Sequence, residues 1–107
     1  MKLIPTSTVD DRYYIYVNGE AVGILDYIDY GDEIEVKYIK IHIEHRRKGI
    51  ATEVINMLKE RTEKITGDAL PDAIDFWKSM NAYFYETIEF DEGSLTPFII
   101  RREYKDE

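Results

Sequence analysis

The chain has 107 residues, a formal net charge of −8 from 22 acidic and 14 basic side chains, and 44% hydrophobic residues including nine Tyr, four Phe and one Trp. That length suits one domain with a single core burying roughly two-thirds of the surface that its unfolded chain exposes, and the apolar content argues against disorder. The acidity disfavours nucleic acid and favours a cationic partner, while the absence of cysteine excludes a disulfide framework and a thiol nucleophile. Met1-Lys2-Leu3-Ile4-Pro5 has too short an apolar run for a signal peptide, and no segment approaches the roughly 18 apolar residues of a membrane span. A cytoplasmic protein is expected.

Met1–Asp11 reads as a short strand or arm that ends at Thr6-Ser7-Thr8. Arg12–Val17 is rich in tyrosine and β-branched residues and reads as a strand. Asn18-Gly19 is a strong hairpin signal, and the return strand runs from Ala21 to about Ile28 with Gly23 marking a bulge or a close backbone approach. Tyr30-Gly31-Asp32 turns the chain into a long strand, Glu33–Ile43. A helix over about Gly49–Lys64 follows, because Ile50, Val54, Leu58 and Ile65 recur at roughly helical spacing. Ile65–Ala69 is a short strand. Pro71 suits the first turn of a second helix, with Asp72 and Asp75 complementing its dipole and Ala73, Ile74, Trp77 and Met80 along one face. Tyr83–Phe90 and Leu95–Arg102 close the chain as two strands joined near Asp91-Glu92-Gly93-Ser94. No repeat or linker divides the chain, so a single domain over residues 1–107 is expected.

The stretch from Ile39 to Val54 carries the chemistry. A strand enters a helix through Arg46-Arg47-Lys48-Gly49, a turn that aims unpaired backbone N–H groups and the positive end of a helix dipole at one spot. Gly49 lets a ligand approach the backbone, and Ala51 keeps the first helical turn small. Three cations there oppose the dipole unless an anion arrives. A solvated cationic turn that binds nothing is the plainer alternative.

Arg46-Arg47-Lys48-Gly49-Ile50-Ala51 resembles the (Gln/Arg)-x-x-Gly-x-(Gly/Ala) signature of the GNAT family of N-acetyltransferases. Asn18-Gly19-Glu20-Ala21-Val22-Gly23 is similar to a hairpin of the same family, and Ala73 and Phe76 match its Ala-x-x-Phe-Tyr segment. The resemblance covers about Tyr13 to Arg102 and implies an α+β fold, a mixed sheet in the order βββαβαββ with two helices packed on it. The family's usual first strand and its first two helices are missing from this reading. The resemblance implies acetyl-CoA as co-substrate. Its pyrophosphate would lie on Arg46, Arg47, Lys48, Gly49, Ile50, Ala51 and Thr52, and its pantetheine arm along the backbone of Ile41 and Ile43. Trp77 stands where many members place the tyrosine that protonates the departing thiolate. Indole cannot do that at ordinary pH, so Trp77 is expected as a wall of the CoA channel or as core. Asn81 and Ala82 replace a glycine and a phenylalanine.

Transfer to an amine needs a base for the ammonium proton and a donor for the thioester oxygen. Glu35 lies six residues before Ile41, on the face of Lys37, Ile39 and Ile41 if the strand is regular. A glutamate at this spacing is the general base in the histone-acetylating branch of the family; otherwise Glu35 is one surface carboxylate among many. His42 and His45 flank Glu44, but a solvated strand face is favoured there over a metal site. Two functions stay open. One is an acetyl-CoA-dependent N-acetyltransferase acting on a primary amine, a protein lysine or a small polyamine. The other is a non-catalytic module that binds a protein through its acidic surface and keeps a vestigial CoA site. With the two helices absent, one sheet face should lack cover, and a homodimer is expected.

Overall fold

The computed structural model describes residues 1–6 and 11–102; Ser7-Thr8, at the expected end of the N-terminal arm, lie outside the described residues. Asn18 and Gly19 both take positive φ, 53° and 81°, as a two-residue hairpin turn requires. They join β2 (Arg12–Val17) to β3 (Glu20–Asp29). Ile15 pairs with Gly23 and Tyr16 with Ala21, which leaves Val22 as an extra residue beside Gly23. A Cβ on Gly23 would also collide with the Lys40 carbonyl. Both readings of that glycine, a bulge and a close approach, therefore hold.

β4 (Glu33–Ile41) pairs antiparallel with β3. Asp26 stands opposite Tyr38 but Tyr27 opposite Val36, so Lys37 has no partner and forms a second bulge. A bulge shifts the alternation by one residue. Ile34 and Val36 are buried before it and Ile41 after it, and the core side stays the same across the kink. The strand stops two residues short of the expected Ile43. The His42 amide donates to the Val22 carbonyl at 2.8 Å, and Ile43–His45 form a 3₁₀ turn.

Helix α1 (Ile50–Lys59) buries Ile50, Val54, Ile55 and Leu58. It ends five residues before the expected Lys64 because its last carbonyls find other donors. The Arg102 guanidinium reaches the carbonyls of Lys59 and Glu60 at 3.0 and 2.7 Å, and the Arg61 amide bonds Leu58 in a tightened final turn. The Arg61 side chain donates to the Tyr27 hydroxyl at 3.1 Å.

β5 (Lys64–Ala69) pairs parallel with β4, and a 3₁₀ turn (Pro71–Ala73) leads into α2 (Ile74–Ser79). The expected strand Tyr83–Phe90 is two pieces, β6 (Tyr83–Phe84) and β7 (Ile88–Phe90), both paired with β8 (Gly93–Arg101). Pro97 of β8 has no N–H to give at that point, so the ladder breaks there. β8 starts at Gly93, two residues before the expected Leu95, because Gly93 still pairs with Phe90. The short strand expected in the N-terminal arm is present. β1 (Lys2–Pro5) pairs antiparallel with β2 through Leu3 opposite Ile15.

The described residues thus form one mixed sheet in the order β1-β2-β3-β4-β5-β8-β6, with β7 also on β8. Both helices pack on one face. Paired residues share a face, which places Ile15, Leu25, Tyr27, Ile34, Ile65 and Ile100 together under α1. The Trp77 ring of α2 stacks 4.2 Å from that of Phe98, beside Gly67 on this same face. The opposite face presents Tyr14 and Tyr38, 42% and 40% exposed, with no helix on it among the described residues. Only residues 6–11 connect β1 to β2, too few for two helices. No described helix is long and apolar enough to cross a membrane.

Gly67 is a tight point beneath α2. A Cβ there would lie 2.7 Å from the Phe98 ring and 2.9 Å from the Val36 carbonyl. Gly67→Ala should lower stability by about 1–3 kcal/mol, read as a lower midpoint in thermal or urea unfolding.

Candidate functional site

β4 and β5 pair only from Glu33–Lys64 to Val36–Gly67. Beyond that point β4 continues to Ile41 and β5 to Ala69, and the two strands part. The Lys37 bulge re-aims β4 at the point of separation. On β5 the Phe98 ring over Gly67, backed by Trp77, fills the helix side of the sheet. The gap is a cleft of about 850 Å³. One wall is β4 from Val36 to Ile41; the other is Asp68, Leu70, Ala73 of the 3₁₀ turn and the α2 side chains Phe76 and Trp77. Its end is closed by His45, Arg46, Arg47 and the first residues of α1, Gly49 to Thr52. Along this wall the β4 backbone edge that faces β5 has no strand partner among the described residues.

The turn into α1 is held open by specific bonds. Arg46 Nε donates to the Ile41 carbonyl at 2.9 Å, fastening the turn to the end of β4. His45 Nε2 lies 3.2 Å from Glu20 Oε2, which ties it to the β2–β3 hairpin. Arg47 and Gly49 both adopt the left-handed conformation, φ 65° and 75°; for arginine that costs about 1–2 kcal/mol. The first α1 bond runs from the Glu53 amide to the Gly49 carbonyl, and Gly49 offers no side-chain cap. The amides of Ile50, Ala51 and Thr52 therefore have no acceptor among the described residues. With Arg46 and Arg47 beside them they make a positive spot on a chain of net charge −8.

No protein-family model matches this chain, and no curated protein does. Solved structures do. An acetyltransferase from Thermus thermophilus superposes with a TM-score of 0.66 at 14% identity, over 84% of this chain and 62% of that one. A GNAT family acetyltransferase from Elizabethkingia anophelis, with acetyl-CoA bound, gives 0.63 at 14% identity over 88% and 77%. Aminoglycoside 6'-N-acetyltransferase complexed with coenzyme A gives 0.72 at 13% identity over 91% and 76%. This chain has the GNAT acetyltransferase fold. It spans less than two-thirds of the length of the Thermus protein.

Within the GNAT fold most of the residues read from the sequence meet in the cleft. Ile41, Arg46, Arg47, Gly49, Ile50, Ala51 and Thr52 line it, as does Trp77, which is only 4% exposed and so serves core and wall together. Lys48 is exposed beside the turn and is not part of the lining. Ile43 stands apart, 76% exposed on the 3₁₀ turn, because the chain leaves the sheet at His42. Glu35 is not on the face of Ile39 and Ile41. The bulge turns it to the open face, opposite Thr66, one residue before the strands part. There its carboxylate accepts a bond from the Tyr30 hydroxyl at 3.3 Å. Partial desolvation, then the Glu35 carboxylate, raise the Tyr30 phenol above its usual value, so it stays protonated as a donor. His45 is engaged with Glu20, and among the described residues no three potential metal ligands cluster.

Sequence reasoning missed the Lys37–Lys40 rim, Asp68 and Leu70. A bulge leaves no local mark, but Gly67 before Asp68 was a legible sign of close packing. The strain at Arg47 gives a direct check. Arg47→Gly relieves the left-handed penalty while adding unfolded-chain entropy of about 0.5–1 kcal/mol. That variant should be at least as stable as the parent in denaturant, whereas an Arg47 without strain would make it less stable.

Proposed function

We propose that this chain is an N-acetyltransferase that moves the acetyl group of acetyl-CoA to a primary amine, a protein lysine or a small polyamine. The observation that carries the reading is the parted strand pair ending on an uncapped, cationic helix N-terminus. The similar folds from Elizabethkingia anophelis and the aminoglycoside acetyltransferase are bound to acetyl-CoA and coenzyme A. The residues fit that ligand. Amides of Gly49 to Thr52, with Arg47, would hold a pyrophosphate. The unpartnered β4 edge from Lys37 to Ile41 would pair with pantetheine amides as a strand would. Ile39, Ile41 and Trp77 supply the apolar wall. Arg46 fastens the turn through Nε, and its terminal guanidinium nitrogens, at the cleft lining, would add to the pyrophosphate site.

Acetyl-CoA would bring the acyl group as a thioester with a thiolate leaving group. The chain must do the rest. A free alkylamine has a pKa near 10.4 and arrives protonated; Glu35, on the open face where the strands separate, takes that proton. Tyr30 holds the carboxylate in place. A β4 amide along the unpartnered edge would donate to the thioester oxygen. Loss of the α2 tyrosine matters less, because a thiol of pKa near 8.5 leaves readily.

Thermal unfolding and release of free thiol test this reading. Acetyl-CoA at 100 times its dissociation constant should add about 2.7 kcal/mol to stability, and Gly49→Val should abolish the shift. Glu35→Gln should lower acetyl transfer by about 10²-fold or more at neutral pH with ligand binding near parental. A melt unmoved by millimolar acetyl-CoA contradicts the assignment; a shift without turnover on any amine leaves a CoA-binding module and not an enzyme.

A further inference from the structure

On the open face, the carboxylates around the parting strands are mostly committed. Asp26 is bound by Arg12 at 2.8 Å. Glu33 is held by Lys64 at 3.4 Å and by Thr66 at 3.0 Å. Glu35 receives Tyr30. Asp68 differs. It is exposed, lines the cleft, and has neither hydrogen bond nor ion pair among the described residues.

Its position follows from the strand. Ala69 is buried on the helix face and a Cβ on Gly67 would meet Phe98 there, so alternation sends Asp68 to the open side. Across the gap, Tyr38 of β4 is on the same side, 40% exposed and part of the cleft wall. Its hydroxyl also has no partner among the described residues. Glu35 is in register with Thr66, two residues before Asp68. Two rises along β5 and one strand spacing put the Glu35 and Asp68 Cα atoms roughly 8 Å apart, more as the strands splay.

We infer that Asp68, with Tyr38 across the gap, seats a second cationic group of the acceptor while the reacting amine lies at Glu35. The acceptor class is then an α,ω-diamine, with the two nitrogens joined by about four or five carbons to match that spacing. An ammonium gains there from a free carboxylate and from the face of a tyrosine. This rests on the acetyl-transfer reading. Glu35 takes one proton from the ammonium, the amine nitrogen bonds the thioester carbon as the C–S bond breaks, and the second N–H proton leaves with the thiolate. Asp68 makes no bond in that step. It positions the substrate.

Lys37, at the bulge, and Lys40 are opposing charges on this rim, so the choice of acceptors must separate them from Asp68. Thiol release is measured with 1,4-diaminobutane, butylamine and 4-aminobutanoate, for the parent and for Asp68→Asn. For the parent, kcat/KM for the diamine should exceed that for butylamine by roughly 5-fold or more, mostly through KM, as one partly screened ion pair allows. In Asp68→Asn this ratio should fall to about two, the statistical factor for two equivalent amines. Equal use of diamine and butylamine by the parent, a ratio unchanged in Asp68→Asn, or preference for 4-aminobutanoate through Lys37 and Lys40 would each overturn the inference while leaving acetyl transfer intact. A lysine peptide that outcompetes the diamine would overturn the small-diamine class. Absence of any acetyl-CoA shift in the melt would remove the underlying reading and this inference with it.

Discussion

The site depends on one constraint: β4 and β5 cannot stay paired beyond Val36 and Gly67. A bulge at Lys37 turns β4 on one side. On the other, the Phe98 ring over Gly67, stacked against Trp77, fixes β5 against α2. Either alone would leave a distorted sheet; together they leave a strand edge open to solvent. Backbone groups left open in a dry core would each cost about 1–3 kcal/mol, but here water reaches them until a ligand does. On the proposed reading, an extended, amide-bearing chain would take those bonds.

The same device sorts chemistry by face. Because the bulge resets the alternation, the helix side stays apolar through Ile34, Val36, Ile39 and Ile41, while Glu35, Tyr38 and Lys40 turn to the uncovered side. The cations Arg46 and Arg47 collect at the end of the cleft where the helix dipole is positive. Arg47 is held there in a left-handed backbone that favours glycine. A strained cation beside uncapped amides is unfavourable unless an anion offsets it. On the proposed reading, anion binding and acceptor binding would fall at different ends and faces of one opening.

Much of this was legible from residues. Asn18-Gly19 specified its turn because both positions need positive φ. Gly49 and the spacing of Ile50, Val54 and Leu58 marked where the helix begins, and Asn81, standing where the family resemblance places glycine, takes a left-handed φ of 63°. What stayed hidden depended on distant partners. The Lys37 bulge is set by the β3 register, so Glu35 was read onto the wrong face. The end of β4 at Ile41 depends on a bond from His42 to Val22. The early stop of α1 depends on Arg102, 42 residues beyond Glu60. β1 is four residues long, and its strand character comes from pairing with β2. None of these leaves a local pattern in hydrophobicity.

The most direct measurement of the central claim is amide hydrogen exchange along β4, with and without acetyl-CoA. In the free protein, alternate amides of residues 37–41, those facing β5, should exchange quickly while those paired with β3 stay protected. Ligand should slow the fast set together with the amides of Ile50, Ala51 and Thr52. Uniform protection along β4 in the free protein, or no change at these positions when ligand binds, would contradict the account.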